Sequence, residues 1–170
     1  VVINCSNTEN LNSYGADKII NINSSDLVDF SSKKYAHALV EIVKSENSKI
    51  IILSSSPNSK YLGAHLSGIT DSSFVSNVVK LPESSNPFIV KRTCFTNKAF
   101  SLTELTSDLK IISITSNSFG IVEKPNNPEN ETVEIKGIST NQKILDIEKE
   151  SGTVTTVSYT HLTLPTTLVV

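Results

Sequence analysis

Apolar runs of four or five residues recur over the first 70 residues of the chain, separated by mixed segments. Residues 1–4, 18–22 and 49–53 each predict a β-strand. The run at 49–53 is rich in isoleucine and uninterrupted by polar residues after Lys49, which is typical of a parallel strand covered on both faces.

The segments between these runs have helical periodicity. One helix is predicted to begin with Ser31 or Ser32 as its cap, and its apolar residues recur at spacings of three and four: Tyr35, Ala38, Leu39, Ile42 and Val43. A second helix is predicted at residues 60–69, and a short one ends at Gly15. Alternating strands and helices predict an α/β layered domain with right-handed crossovers.

Further along, strand patterns follow one another with few helical signals between them. Four strands are predicted, at residues 74–81, 88–95, 99–105 and 109–115. The last three are expected to form an antiparallel meander at the edge of a mostly parallel sheet.

Composition divides the chain into three parts. Residues 1–122 form the α/β domain, and residues 123–156 are a linker that starts a connection, with a polar, proline-bearing stretch at 124–131 and weaker strand patterns at 132–138 and 144–148. Residues 157–170 resemble a peptide translated from library adapter sequence, a genuine Thr-rich tail being the alternative.

Composition also narrows the class of protein. The chain has 170 residues, a net charge of -2 and two cysteines, so it has neither a basic surface for nucleic acid nor a disulfide framework. No apolar run approaches the roughly 18 residues of a membrane span, and no signal peptide is recognisable. A bacterial cytoplasmic location is expected. Because the chain contains no methionine, its N-terminus is expected to be cut, a processed mature protein being the alternative.

The candidate motifs for chemistry are weak. Gly63 and Gly68 have the spacing of a phosphate-binding loop, but Ile69 stands where that loop needs lysine, which favours helix packing. Residues 54–60 follow a buried strand, so their hydroxyls and Lys60 could hold an anion, or Ser59 could simply cap the next helix.

The histidines give no better candidate. His37, His65 and His161 lie far apart in the sequence and have no ligand-spaced neighbours, which favours surface roles. We therefore predict no catalytic residue and no metal site, and a binding or scaffolding role.

Several segments together resemble the alpha subunit of electron-transfer flavoproteins. They are GADKI at 15–19, IIILSSS at 50–56, RTCFTNKA at 92–99 and LKIISITSNSF at 109–119. The sequence departs from the family pattern where Ser59 replaces a glycine, His65 an arginine, Asn97 the glycine of a turn, and Thr115 a common arginine.

The resemblance implies a Rossmann-like N-terminal domain of the adenine nucleotide alpha hydrolase type, with the family's first strand and helix missing ahead of Val1. It implies a scaffold rather than an enzyme, in a heterodimer with a beta subunit that carries electrons from dehydrogenases, for example those of fatty acid beta-oxidation. The FAD would be bound by a C-terminal domain absent here, and no residue of this fragment is predicted to bind it. Arg92 and Lys98 are predicted to contact a partner or an anion.

Two other interpretations remain open at this point. One is a nucleotide-binding α/β domain of the universal-stress or nucleotide-hydrolase type, although the Gly-rich phosphate loop usual there is absent from the sequence. The other is an interaction domain outside known families.

Overall fold

A computed structural model describes residues 1–138 of the chain. The elements of this part follow the predicted alternation of strands and helices. In chain order they are β1 (Val2–Ile3), β2 (Lys18–Asn23), α1 (Ser32–Ser45), β3 (Ile50–Ser54), α2 (Pro57–Thr70), β4 (Ser73–Lys80), β5 (Ile89–Cys94), β6 (Ala99–Glu104), β7 (Lys110–Ile114) and β8 (Glu129–Glu134). The strand pattern at 144–148 lies outside the described residues.

The strands form two sheets. One has the order β1-β2-β8 and is entirely parallel. The other has the order β3-β7-β4-β5-β6, parallel among β3, β7 and β4 and antiparallel through β5 and β6. The prediction of an α/β fold with a mostly parallel sheet and an antiparallel edge is confirmed.

The prediction that the strand at 109–115 belongs to the antiparallel meander was wrong. The antiparallel strands are β4, β5 and β6, whereas β7 lies between β3 and β4 and pairs with both in parallel. Ile111, Ile112 and Ser113 of β7 are all buried. A strand buried on both faces is stabilised best at the centre of a sheet, which outweighs its closeness in sequence to β6.

Both helices lie on the same side of the sheets. Ala38 and Ile42 of α1 pack against Ile20 and Ile22 of β2. On the adjacent surface of α1, two residues pack in a second cluster with residues of α2 and β7; the members are Ala36, Val40, Leu62, Leu66 and Ile111. The helical layer therefore joins the two sheets. Neither helix is long and apolar enough to cross a membrane.

Part of the segment predicted as a linker is a strand. Residues 129–134 form β8, which pairs with the whole of β2. Lys18 of β2 donates to Glu131 at 2.7 Å and to Glu46, just after α1, at 2.8 Å. These two carboxylates raise the pKa of the Lys18 ammonium. The strand has few apolar residues because it is largely exposed, so the sequence predicted a polar linker at 124–131 and only a weaker strand at 132–138.

Candidate functional site

The two predicted contact residues lie in different surroundings. Arg92 is in β5, opposite Val78 of β4 and Ser101 of β6. Its Nε atom is buried and has no hydrogen-bond partner among residues 1–138. Lys98 is exposed in the turn between β5 and β6, where its backbone N–H donates to the Phe95 carbonyl at 3.0 Å. One is thus a partly buried strand residue and the other a surface cation.

The turn that carries Lys98 has an uncommon backbone. Phe95, Thr96 and Asn97 have φ angles of 50°, 53° and 64°, in the left-handed region. Asn97 stands where the resembling family has glycine, and asparagine adopts this region more readily than other non-glycine residues. The turn leaves Phe95 81% exposed, beside a cation, on the surface of the domain. Non-glycine residues held in the left-handed region cluster at functional sites, which makes this turn a candidate contact surface.

The serine-rich loop after β3 is a helix cap. Ser59 donates its backbone N–H to the Ser56 hydroxyl at 3.1 Å, so Ser56 caps α2, and of the two alternatives for this loop the one that made Ser59 the cap is wrong in its residue. The Ser59 hydroxyl contacts those of Ser56 at 2.8 Å and Ser54 at 3.2 Å. These hydroxyls are therefore engaged with one another, and Lys60 extends into solvent.

A small cavity lies at the carboxyl ends of β3 and β7, where ligands bind in open α/β sheets. Its volume is about 160 Å³, and Ser55, Ile114, Thr115 and Phe119 contribute to its lining. The Thr115 hydroxyl is buried without a partner among the described residues. Pockets for drug-sized ligands have volumes of roughly 300–1,000 Å³, so this cavity does not fit FAD.

The histidines of the described region take structural or surface positions. His37 is exposed on α1, as predicted. The Nδ1 atom of His65 on α2 lies 2.8 Å from the Ser32 hydroxyl at the start of α1, so this half-buried histidine joins the two helices. His161 lies outside residues 1–138, within which no cluster of His, Cys, Asp or Glu could hold a metal ion.

The antiparallel edge exposes an apolar surface that the sequence analysis did not single out. Ile89, Lys91, Phe100 and Leu102 lie on one side of β5 and β6, and we call them the outer meander face. Phe100 is 61% and Leu102 74% exposed, and the Lys91 ammonium lies 4.1 Å from the Phe100 ring centroid. Exposed contiguous apolar residues rimmed by charge mark interaction surfaces.

A second cavity, which we call the intersheet slot, separates β1 of one sheet from β3 of the other. Its volume is about 530 Å³, and its lining is mostly apolar: Ile3, Ile20, Leu39, Ile42, Ile51 and Leu53 contribute. Its one charged side chain, Glu46, is paired with Lys18 at 2.8 Å, and no lysine or arginine lines the slot to bind a pyrophosphate. The slot therefore does not fit FAD either.

Tyr35 of α1 lines the intersheet slot with its ring and is anchored by its hydroxyl. The hydroxyl donates to the Leu27 carbonyl at 3.1 Å. Burial raises the pKa of this phenol, and the negative charge of Asp29 raises it further.

Replacing Tyr35 by phenylalanine is expected to lower the free energy of unfolding by about 0.5–1.5 kcal/mol at pH 7, because the bond to Leu27 is lost. The raised pKa means that the folded chain holds the phenolic proton more tightly than the unfolded chain. This contribution is therefore complete below the ordinary phenol pKa of 10.0 and decreases as the pH rises above it. Urea denaturation at several pH values should show the two proteins converging above pH 10.

The matched control is Tyr61→Phe, because Tyr61 is exposed on α2. Its effect on unfolding should stay within about 0.5 kcal/mol. A Tyr35→Phe difference that did not change with pH would contradict the assigned environment of the phenol.

The described residues form an α/β layered domain with an antiparallel edge and an exposed apolar face. The family model described as the electron transfer flavoprotein domain matches residues 4–142, which is most of the chain. The chain belongs to the electron transfer flavoprotein family. No curated protein matches it significantly.

Proposed function

We propose that this chain is the N-terminal scaffold domain of an electron-transfer flavoprotein alpha subunit. The observation that carries the proposal is the family match over residues 4–142, together with the alpha-type segments at 15–19, 50–56, 92–99 and 109–119. In this role the domain is a carrier subunit rather than an enzyme, and it acts in the bacterial cytoplasm. It supports transfer of electrons from dehydrogenases, such as those of fatty acid beta-oxidation.

In this proposal FAD is bound by a C-terminal domain outside the described residues. The linings of the two cavities described above contain no lysine or arginine for the FAD pyrophosphate, which is in keeping with a scaffold role for residues 1–138. FAD supplies the redox chemistry when bound, and the protein supplies orientation and contacts. The domain would contribute a rigid surface that holds the partner subunit.

We propose that the outer meander face meets the beta subunit. Phe100 and Leu102 supply apolar area, and Lys91 and the nearby Lys98 supply positive charge at its border. Interfaces combine an apolar centre with a polar rim in this way. Arg92 is retained as a proposed partner or anion contact, because its buried Nε has no acceptor among the described residues.

The test is coexpression of the whole chain with the electron-transfer flavoprotein beta subunit of the same genome. We expect a one-to-one complex by size-exclusion chromatography, and Phe100→Asp or Leu102→Asp should weaken it at least about tenfold by calorimetry. The matched control is Val28→Asp, at an apolar residue that is 73% exposed elsewhere.

Two results would overturn parts of the proposal. Failure of the unsubstituted chain to bind the beta subunit would refute the scaffold role. Equal weakening by Val28→Asp would refute the assignment of the outer meander face. The nucleotide-binding alternative is not favoured, because the Ser59 hydroxyl bonds to those of Ser54 and Ser56 and the Ser56 hydroxyl caps α2.

A further inference from the structure

β6 is the last strand of the five-stranded sheet, so one of its sides has no partner among the described strands. Leu105, just after β6, donates its N–H to the Phe88 carbonyl at 3.0 Å, toward β5. Because backbone groups of successive strand residues point in opposite directions, those of Phe100, Leu102 and Glu104 point away from β5. These three residues therefore offer backbone donors and acceptors to a further strand.

The same residues present exposed side chains. Phe100, Leu102 and Glu104 alternate with half-buried residues along β6, so they lie on one side of the sheet. Lys98 comes two residues before Phe100, in the turn that leads into β6, and it is exposed as well. Uncovered strand edges that carry apolar residues are a liability that proteins usually cover or blunt. The free edge of β6 is therefore a candidate site of strand pairing.

The charges at the two ends of this run are unpaired in the described part of the chain. Neither the Lys98 ammonium nor the Glu104 carboxylate forms an ion pair with another residue of 1–138. From Lys98 to Glu104, every second residue is in turn basic, apolar, apolar and acidic. In the opposite direction the order is acidic, apolar, apolar and basic. The run is thus complementary to an antiparallel copy of itself.

One register of two antiparallel β6 strands satisfies all four positions. If Ser101 of one copy lies opposite Ser101 of the other, Phe100 of each copy lies opposite Leu102 of the other. The same register places Lys98 of each copy opposite Glu104 of the other. Apolar pairs and opposite charges that face each other across an antiparallel pair stabilise it. A shift of the register by two residues would instead place a charged residue opposite an apolar one.

Pairing in this register closes on itself. Two copies related by a two-fold axis at Ser101 contribute the same strand to the contact, so each free edge covers the other. The edge of β6 is then used up, and this contact cannot add a third copy. A closed pair of this kind removes the exposed edge without opening a route to fibres.

We propose that, when the beta subunit is absent, two copies of this chain pair through β6 in antiparallel register about Ser101 and form a homodimer. The two five-stranded sheets then form one continuous sheet, with a Lys98–Glu104 ion pair near each end of the new ladder. The inference goes beyond the proposed function and does not depend on it. Because the beta subunit is proposed to cover Phe100 and Leu102, the homodimer and the complex with the beta subunit are alternative states.

The test is sedimentation equilibrium of the whole chain, alone, over a range of concentrations. The average mass is expected to rise with concentration toward twice that of the monomer. Lys98→Glu or Glu104→Lys sets like charges opposite each other at both ends, so each should raise the dissociation constant at least about tenfold. The double variant Lys98→Glu/Glu104→Lys reverses both ion pairs, so it should restore the dissociation constant to within about threefold. Lys60→Glu, at an exposed lysine of α2, should leave it unchanged.

A second measurement reports on the register. The backbone groups of Ser101 point toward β5, so the two Ser101 residues of the homodimer would form a non-hydrogen-bonded pair. The Cα atoms of such a pair lie about 4.5 Å apart, which is within the range that a disulfide spans. Ser101→Cys should therefore cross-link two copies under mild oxidation. The unsubstituted chain, which keeps Cys5 and Cys94, gives the background.

Four results would contradict the homodimer. One is a mass that stays at that of the monomer at every concentration, and another is association that continues beyond two copies. A third is a dimer that both single charge variants leave unchanged, or that the double variant fails to restore. The fourth is no cross-linking of Ser101→Cys above the background. None of these results bears on binding of the beta subunit, which is measured separately with that subunit present.

Discussion

Replacing Ile111 by alanine is expected to lower the free energy of unfolding by about 2–5 kcal/mol. Ile111 is fully buried in β7, where it packs against Ala36 and Val40 of α1 and Leu62 and Leu66 of α2. The shortened side chain would leave a cavity beneath both helices, which the close-packed layer can fill only in part. Urea denaturation followed by circular dichroism measures the change.

The chain offers a control of the same residue type in the same sheet. Ile52 of β3 is 55% exposed, so Ile52→Ala should cost less than about 1 kcal/mol. Equal losses for the two variants would contradict the assignment of β7 to the centre of the sheet and of Ile52 to an uncovered face. A changed dependence on urea in either variant would indicate an altered unfolded state instead.

The elements that were predictable from sequence are those that local periodicity determines. The apolar spacing in 35–43 predicted α1, and the isoleucine run at 49–53 predicted β3, because periodicity within one element is a local property of the sequence. The expectation that β3 is covered on both faces was wrong for the described residues, since β3 is an edge strand whose Ile50 and Ile52 are 46% and 55% exposed. The order of the strands in the sheet could not be predicted from such local patterns. β7 lies between β3 and β4 because its buried isoleucines need two partners, which sequence order does not reveal.

Strands formed mainly by pairing are equally hard to predict. β8 has one apolar residue, Val133. Its backbone pairing with β2 over six residues stabilises it, and the ion pair between Lys18 and Glu131 joins the same two strands. Its first half has the composition of a linker and its second half falls in the weaker strand pattern at 132–138, so only the pairing with β2 shows where the strand begins.

The outer meander face was not predicted from the sequence. Phe100 and Leu102 alternate with polar residues in β6, but the sequence analysis used this segment only to predict a strand. Periodicity predicts a covered face but cannot say whether the cover is the same domain or a partner subunit. In the structure, residues 1–138 leave the outer meander face exposed, so it is available to a partner subunit.

The glycines of α2 give the second large effect, and they separate two interpretations of one spacing. Gly63 faces the Phe74 ring of β4 so closely that an added methyl group would overlap three of its carbons, whereas a methyl group on Gly68 would meet nothing within 4 Å beyond its chain neighbours and the backbone of α2. Only Gly63 thus has the packing role predicted for both.

Gly63→Ala is therefore expected to lower stability by about 1–3 kcal/mol through overpacking, which outweighs the gain of about 1 kcal/mol in helix propensity. Gly68→Ala meets no obstacle, so it should raise stability by up to about 1 kcal/mol. Thermal unfolding of the two variants should move in opposite directions. The Phe74→Leu exchange provides a further check: combined with Gly63→Ala it should lose less than the two single changes together, because the smaller side chain makes room for the methyl group. If the two losses of stability simply added, the absence of a side chain at Gly63 would not be what accommodates the Phe74 ring.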